Sequence, residues 1–435
     1  MQVQNGNTLS ADFKIARKRS FPLIYRAAAL VYAGYIFANP AHALSLPIGL
    51  ITTCSALVCQ TIIMSRQEDA RPEEVLNQML STKASISISS SFLVAENQDA
   101  HDNPELKTFT QVGKGQCGTV WALTGTINVL KITNEGKDDQ LWNDYCNHAR
   151  IEEAFMQTFS GFRRNINLPN LGTWISPRNE MFWNEHRNYF LDGIAQPTNG
   201  FLSERIFPVQ LQVRSAIIDA FAPNQVKKSK ESFLLQQENK DCLIRIYLGR
   251  RQGRLASSTF KLRNFDMTVN EMEFLHLDTA FYAETLAQTL AIIHWKAKLD
   301  ANDVEFVFGC APTVKRRPTI AELEATNRFD VQTLGSEADF GRRSIGIWLL
   351  DFDQCKPFPE HMDGVKQLER GFYFNVPYYP RPISEHPKDV ALWNTFKESY
   401  LVTSAAFTTS DMPKQFIEAV EAEGRKRRSG GSMFQ

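Results

Sequence analysis

The sequence predicts an α+β protein in which a small β-rich lobe precedes a larger, mainly helical lobe. Closely spaced glycines at 113–118 lie between short β-rich segments, and a further such segment follows at 128–133. Apolar residues recur with helical spacing over 138–159 and again over 279–298. Two short apolar segments follow at 304–309 and 345–351, with acidic residues at the start of the first and at the end of the second. This order of elements predicts two lobes that meet at a cleft.

Length and composition allow a large core and limit the partners. The chain has 435 residues, 43% of them apolar, which is enough for one large two-lobed domain. The 48 basic and 48 acidic residues balance, so nucleic acid, which calls for a basic excess, is not an expected partner. The seven cysteines lack the paired spacing of a zinc site or a disulfide framework, which predicts a reducing compartment.

An apolar N-terminal segment, residues 1–64, precedes the two lobes. It begins with basic residues and contains two apolar stretches, 21–38 and 44–64, of which the second is long enough to span a bilayer. Three interpretations stay open: membrane association through residues 21–64, a cleaved segment such as a mitochondrial address, and a peripheral apolar extension. A hairpin turning at Asn39-Pro40 would keep the lobes at the cytoplasmic face of a membrane. Without an anchor, the protein would be cytoplasmic.

The rest of the chain divides into four parts. Residues 65–106 are polar and rich in serine, which predicts a linker with at most a short helix near Pro72 to Ser81. The β-rich lobe is predicted over 107–206 and the helical lobe over 207–423. Residues 424–435 begin with a run of basic side chains and predict a flexible tail.

The glycine-rich segment predicts a hairpin that covers phosphate groups. Gly113, Gly115 and Gly118 are followed by Val120 in the pattern G-x-G-x-x-G-x-V. Such glycines let backbone amides approach phosphate oxygens closely. A dinucleotide site would need a helix after the third glycine, whereas Thr119-Val120-Trp121 favours a strand. The pattern also fits an ordinary glycine-rich hairpin, so its weight depends on the residues that follow.

A lysine in the next predicted strand is the candidate partner of these phosphates. Lys131 lies within Val129-Leu130-Lys131-Ile132, and a buried lysine needs an anionic partner. It could bind the α- and β-phosphates of ATP while paired with a carboxylate of the following helix. Glu152 and Glu153 are the candidates, and Glu153 is preferred. The alternative is an edge-strand lysine whose amine reaches solvent.

An acidic segment after the long helix is the candidate catalytic loop. Asp300 and Glu305 keep the last interval of the motif H-R-D-x-x-x-x-N, with Glu in place of Asn and without the His-Arg part. Asp300 could accept the proton of a hydroxyl group, and Glu305 could hold a metal ion. Asp303 is a rival for either role. The alternative is a polar loop whose carboxylates cap the local backbone.

The last apolar segment ends at a candidate metal ligand. Asp351 follows Trp348-Leu349-Leu350 and precedes Phe352-Asp353. A carboxylate at this position suits Mg²⁺ that bridges the phosphates. Asp353 stands where protein kinases have glycine.

The order of these signals is that of a protein kinase or an aminoglycoside-phosphotransferase-like enzyme. The connector from Glu204 to Ile206 would then face adenine, and ATP with Mg²⁺ would be the ligand. Three functions stay open: an ATP-dependent phosphotransferase acting on an unknown hydroxyl acceptor, a catalytically degenerate pseudokinase that serves as a binding or scaffold protein, and an interaction protein without a ligand.

Several longer runs give the sequence a more specific resemblance. They are Leu141-Trp142-Asn143-Asp144-Tyr145, Glu204-Arg205-Ile206, Leu262-Arg263-Asn264-Phe265, Asp300-Ala301-Asn302-Asp303-Val304-Glu305, Leu350-Asp351-Phe352-Asp353 and Pro377-Tyr378-Tyr379-Pro380. In these runs the chain resembles a fungal family of unknown function, sometimes labelled zinc-finger-protein-like, over about residues 108–423. The resemblance implies a fungal protein without an established activity. The cysteine and histidine spacing gives the zinc-finger label no support.

Overall fold

The computed structural model describes residues 71–81, 87–88, 92–163, 165–191, 196–251, 260–314, 320–325 and 338–429. These residues adopt an α+β architecture with two five-stranded sheets. The predicted apolar N-terminal segment, with its candidate membrane region 21–64, lies outside them. Within the described part of the chain, no helix combines the length and the apolarity that a bilayer crossing requires.

The first sheet is antiparallel, with its strands in the order β2-β3-β4-β6-β5. The glycines join β2 and β3 into a hairpin, and Val120 of β3 lies opposite Lys131 of β4. A register shift between Gln111 and Gly113 bends β2. The strands are β2 (Phe109–Lys114), β3 (Gly118–Leu123), β4 (Asn128–Thr133), β5 (Leu171–Ile175) and β6 (Gly200–Glu204).

The two faces of this sheet have different partners. Side chains alternate along a strand, so Lys131 and its β6 neighbour Phe201 lie on the face opposite Leu130. Phe201 packs with Leu141 of helix α3 (Asp138–Met156), whereas Leu130 packs in a separate aromatic cluster with Phe109. The strand register therefore turns the lysine towards α3.

The second sheet has the order β1-β10-β9-β7-β8 and is antiparallel except for β7 and β8. Glu305, the first residue of β9, pairs with Leu350, the last residue of β10. This register places the loop before β9 beside the residues that follow β10. The strands are β1 (Ser87–Ile88), β7 (Ile244–Tyr247), β8 (Phe265–Thr268), β9 (Glu305–Val314) and β10 (Ala338–Leu350).

Helices accompany both sheets: several contribute to the hydrophobic core of the second sheet, and Phe182 and Trp183 of Glu180–His186 pack in the core of the first sheet. Apart from α3, they are α1 (Pro72–Leu80), α2 (Phe92–Asp102), α4 (Ser160–Arg163), α5 (Glu180–His186), α6 (Leu211–Phe221), α7 (Asn224–Lys228), α8 (Lys230–Leu235), α9 (Val269–Phe274), α10 (Thr279–Ala291), α11 (Ile320–Ala325), α12 (Met362–Phe374), α13 (Pro387–Ala405) and α14 (Met412–Ser429).

The helix predicted over 279–298 is shorter than its apolar pattern indicates. Helix α10 ends at Ala291, and a π-helical turn from Ile292 to Lys296 follows. The buried Tyr400 hydroxyl accepts a hydrogen bond from Trp295 Nε1 at 2.9 Å and lies 2.9 Å from His294 Nδ1. Both side chains belong to the π-helical turn, so α13 anchors the segment that leads into the acidic loop.

Two segments contain more helix than predicted. In the linker 65–106, helix α2 was not predicted, whereas α1 matches the short helix expected near Pro72 to Ser81, and its Leu76 and Leu80 are fully buried in the main core. They are four residues apart, so they share one helix face. The predicted tail 424–435 begins inside α14, where the Arg427 guanidinium lies 4.0 Å from the centre of the Tyr373 ring. Tertiary packing accounts for both differences.

Candidate functional site

A cleft of about 360 Å³ lies between the two sheets; we call it the front cleft. The β2–β3 hairpin, β4 and the connector after β6 contribute one part of its lining, and β7, β9 and the end of β10 contribute the other. Its volume lies within the range of small-molecule sites. Its lining includes Gly113, Gly115, Val120, Lys131, Asp144, Glu204, Ile206, Arg263, Glu305 and Asp351.

The three glycines of the hairpin have different positions. Gly113 and Gly115 line the front cleft, whereas Gly118 does not. A Cβ on Gly118 would lie 2.7 Å from the Ile132 carbonyl oxygen and 3.1 Å from Lys131 Cγ. Gly118 therefore allows β3 to pack closely against β4. The Gly115 amide donates to the Gly118 carbonyl at 2.8 Å, so this amide faces the hairpin itself.

The amine of Lys131 lies between two carboxylates. Its Nζ is 2.6 Å from Asp144 Oδ2 and 3.7 Å from Asp351 Oδ1. Burial lowers the pKa of Lys131, but the charges of Asp144 and Asp351 outweigh it and raise the pKa well above its usual value. The amine therefore stays protonated, and it stands beneath the hairpin as a fixed positive charge.

The predicted pairing of Lys131 with Glu153 is wrong. Glu153 is exposed and accepts a hydrogen bond from Gln157, while Glu152 accepts one from the Leu171 amide at 3.0 Å. Lys131 lies beside the N-terminal half of α3, where Asp144 faces it. Asp144 Oδ1 also accepts from the Phe352 amide at 3.1 Å, so one carboxylate joins β4 to the segment after β10.

Asp144 is the site residue that sequence reasoning missed. It follows Leu141 by three positions, so it lies on the buried face of α3. A charged residue on an apolar helix face needs a partner, and this is the signal that would have identified it. The prediction of Glu153 used only its place in the helix that follows Lys131. It did not include the direction in which the Lys131 side chain points.

Three carboxylates form a group that could hold a divalent cation. One oxygen each from Asp303, Asp351 and Asp353 lies within 4.8 Å of the others, and oxygen ligands suit Mg²⁺. Asp353 is 6% exposed, and its Oδ1 has no hydrogen-bond partner; its Oδ2 accepts from Gln140 at 2.8 Å. An unsatisfied buried carboxylate oxygen is costly, and a cation would relieve that cost.

The backbone supports the same interpretation of this carboxylate group. Asp303 has φ of 67° and Asp351 has φ of 68°, both in the left-handed region that few side chains other than Asn and Asp adopt. Strained residues of this kind cluster at functional sites. The two left-handed residues lie at adjacent strand ends, and their carboxylates belong to the same group.

Glu305 does not join this group. It lines the front cleft but forms a short ion pair with Arg245, so the guanidinium occupies the carboxylate that was predicted to bind metal. Burial raises the pKa of Glu305, and Arg245 opposes that shift. Asp303, the alternative metal ligand that the sequence offered, lies next to Asp351 instead.

Asp300, the predicted proton acceptor, is away from the front cleft. It is 5% exposed. Its Oδ1 accepts from the Lys356 amide at 2.9 Å and the Asn302 amide at 3.2 Å, and its Oδ2 accepts from Gln367 Nε2 at 2.7 Å. These bonds make Asp300 a cap for the loop backbone, which is the alternative that the sequence left open.

The connector from Glu204 to Ile206 does line the front cleft. The Arg205 amide donates to the Ile127 carbonyl at 2.7 Å, and the Glu204 carboxylate accepts from Asn170 Nδ2 at 2.6 Å. On the far side, Arg263 Nη2 donates to the Val112 carbonyl at 2.9 Å. This last contact ties the hairpin to the second sheet and was not predicted.

Magnesium affinity should depend on pH through Asp303. Burial raises the pKa of Asp303 to about 6 from 3.8, so between these values the folded protein binds more protons than the unfolded chain. The contribution of Asp303 to stability therefore falls as the pH rises through this window. Because a metal must displace bound protons, Mg²⁺ affinity should rise with pH, and Asp351, whose pKa burial raises to about 7, should contribute to the same dependence.

Calorimetric Mg²⁺ titrations between about pH 5 and 7.5 would measure this dependence. Asp303→Asn should weaken binding and make the pH profile less steep, whereas Asp411→Asn, which changes a carboxylate 77% exposed, should leave both unchanged. An affinity that does not vary with pH in the wild-type protein would argue against Asp303 as a ligand.

Comparison with known families gives a match to part of the chain. Residues 347–411 match the model of a domain family, DUF3669, that carries the description zinc finger protein. The matched segment contains Asp351 and Asp353 but neither the glycine hairpin nor Lys131. No curated protein matches the sequence significantly.

The zinc-finger description has no counterpart in the side chains that the structure describes. Cys117, Cys146, Cys242 and Cys355 are free thiols. Within the described residues, the side-chain group that could hold a metal is the carboxylate set of Asp303, Asp351 and Asp353. Oxygen ligands of this kind suit Mg²⁺ better than structural zinc, which prefers sulfur and nitrogen.

Proposed function

We propose that the front cleft binds ATP with Mg²⁺ and that the chain has a divergent, two-lobed protein-kinase-like fold. The observation that carries this proposal is the 3.7 Å separation between Lys131 Nζ and Asp351 Oδ1 beneath the glycine hairpin. A cation for the phosphates and an anion for the metal, side by side, are what phosphoryl transfer requires. The residues come from β4 and from the end of β10, far apart along the chain.

Each residue has a role in the proposal. The hairpin with Gly113, Gly115 and Val120 covers the phosphates, and Lys131, held by Asp144, binds them. Asp351 binds Mg²⁺ together with Asp303 and Asp353. The connector from Glu204 to Ile206 contacts adenine. Positioning and charge neutralisation supply the rate enhancement for transfer to a hydroxyl acceptor.

A pseudokinase is the second candidate, and two observations favour it over an active enzyme. Asp300 is buried and fully hydrogen-bonded outside the front cleft, and Glu305 is paired with Arg245. In an active enzyme, Asp303 would have to accept the hydroxyl proton as well as contact the metal. Nucleotide binding without turnover is the expected behaviour of the degenerate form.

Nucleotide binding by the full-length chain tests both candidates. At an ATP concentration about a hundredfold above Kd, the free energy of unfolding should rise by about 2.7 kcal/mol, and removal of Mg²⁺ should reduce this gain. Production of ADP in proportion to a phosphorylated acceptor would identify an enzyme. Stabilisation without ADP would identify a pseudokinase. No stabilisation at millimolar ATP would overturn the proposal and favour an interaction protein.

A further inference from the structure

A second cleft, of about 750 Å³, lies beside the connector after β6; we call it the rear cleft. Its lining includes Glu152 of α3, Asn167, Glu204, Gly346 and Trp348. The β10 strand floors both clefts, because Leu350 lines the front cleft and Gly346 and Trp348 line the rear cleft. None of the proposed nucleotide contacts except Glu204 belongs to it.

The rear cleft contains a buried hydrogen-bond donor that has no acceptor. Trp348 is 4% exposed, and its Nε1 makes no hydrogen bond to the described residues. A Cβ on Gly346 would lie 2.3 Å from Asn167 Nδ2 and 3.9 Å from this nitrogen, so the glycine makes room for the Asn167 amide, and both groups line the cleft beside the indole. A buried donor without a partner costs free energy, and an acceptor on a ligand would recover it.

The charged residues that line the rear cleft are negative. Glu152 and Glu204 are the charged residues among the described lining residues. Glu152 Oε1 accepts from the Leu171 amide at 3.0 Å, and Glu204 Oε2 accepts from the Asn170 amide at 3.1 Å. These amides orient both carboxylates, but they bring no positive charge to neutralise them. A ligand for this site should therefore be cationic.

The contacts around Asn167 hold the rear cleft open. Its amide donates to the Ile347 carbonyl at 2.8 Å, and its carbonyl accepts from the Leu349 amide at 3.0 Å. Asn167 Nδ2 also donates to the Ile347 carbonyl at 3.1 Å. These bonds tie the segment before β5 to β10, so the cleft is already formed without a ligand, as small-molecule sites usually are.

We propose that the rear cleft binds a small organic cation that also carries a hydrogen-bond acceptor. The ammonium group of this ligand contacts Glu152 and Glu204, and a carbonyl or ether oxygen accepts from Trp348 Nε1. The proposal does not depend on nucleotide binding, because Trp348 and Glu152 lie outside the front cleft; Glu204 is the residue that the two proposed sites share.

The test uses 5-aminovaleramide as a probe, because it carries an amine and a carbonyl on a flexible chain. Pentylamine lacks the carbonyl, and valeramide lacks the amine. The readout is the indole N–H resonance of Trp348 in the full-length protein, which has seven tryptophans; the spectrum of Trp348→Phe assigns it. The probe should shift this resonance saturably, and each truncated probe should bind about tenfold more weakly.

Two glutamates adjacent on α3 provide matched variants. Glu152→Gln should weaken probe binding about tenfold, while Glu153→Gln should not change it, because Glu153 is exposed and does not line the cleft. Glu152→Gln retains Trp348, so its folding and binding are read from the same resonance. No saturable shift of the Trp348 signal, or equal affinity in the two variants, would overturn the proposal.

Discussion

Replacing Lys131 with methionine is expected to destabilise the protein by about 3 kcal/mol and to weaken Mg²⁺-ATP binding about a hundredfold. The stability loss follows from Asp144, whose side chain is 5% exposed and would lose its cation. The binding loss follows from the phosphates, which would lose theirs. Denaturant unfolding and calorimetric ATP titration measure the two effects separately.

The double variant Lys131→Met/Asp144→Asn separates folding from binding. It removes the uncompensated buried charge and keeps an acceptor for the Phe352 amide, which Asp144 Oδ1 binds at 3.1 Å. Most of the lost stability should return, whereas ATP binding should stay weak. If Lys131→Met alone binds ATP as tightly as the wild type, Lys131 does not belong to the proposed site.

Replacing Asp351 with asparagine is expected to leave the fold intact and to weaken strongly the dependence of ATP binding on Mg²⁺. Asp351 has φ of 68°, and asparagine is among the residues that best tolerate this conformation. Burial raises the pKa of Asp351, with Lys131 opposing the shift, so loss of its charge should not destabilise the protein. The Asp351 side chain is 34% exposed, and contact with water limits the rise of its pKa.

Weaker Mg²⁺ binding should be the main effect of the Asp351→Asn substitution. With two anionic ligands left, Mg²⁺ affinity should fall about a hundredfold, and any phosphoryl transfer should fall about a thousandfold. Asp363→Asn, at a carboxylate 72% exposed, is the matched control and should behave as the wild type. Unchanged magnesium dependence in Asp351→Asn would mean that the metal binds elsewhere.

Local patterns were sufficient wherever the answer depended on a single element. The strand 128–133 was predicted with the bounds that the structure has, and the glycine hairpin forms between β2 and β3. The sequence predicts Lys131 as a phosphate ligand and Asp351 as a metal ligand. Lys131 Nζ and Asp351 Oδ1 lie 3.7 Å apart. Strand periodicity and glycine spacing are properties of neighbouring residues, so one sequence reveals them.

Sequence patterns did not predict the partners of side chains that contact a second helix or strand. The sequence offered Glu152 and Glu153 as partners for Lys131, but Asp144 is the contact because the side-chain direction of β4 meets an earlier turn of α3. Glu305 was a plausible metal ligand until the register of β7 brought Arg245 beside it. No spacing within either segment predicts such a meeting.

The sequence by itself determined the α+β composition, the hairpin, the position of Lys131 in a strand and the carboxylate that ends β10. Tertiary structure alone decided that Asp144 holds Lys131, that Asp303 and Asp353 join Asp351, and that Asp300 caps its own loop. The physical reason is that a side chain's direction follows from local backbone periodicity, whereas its partner depends on how separate elements pack and which charges that packing must compensate.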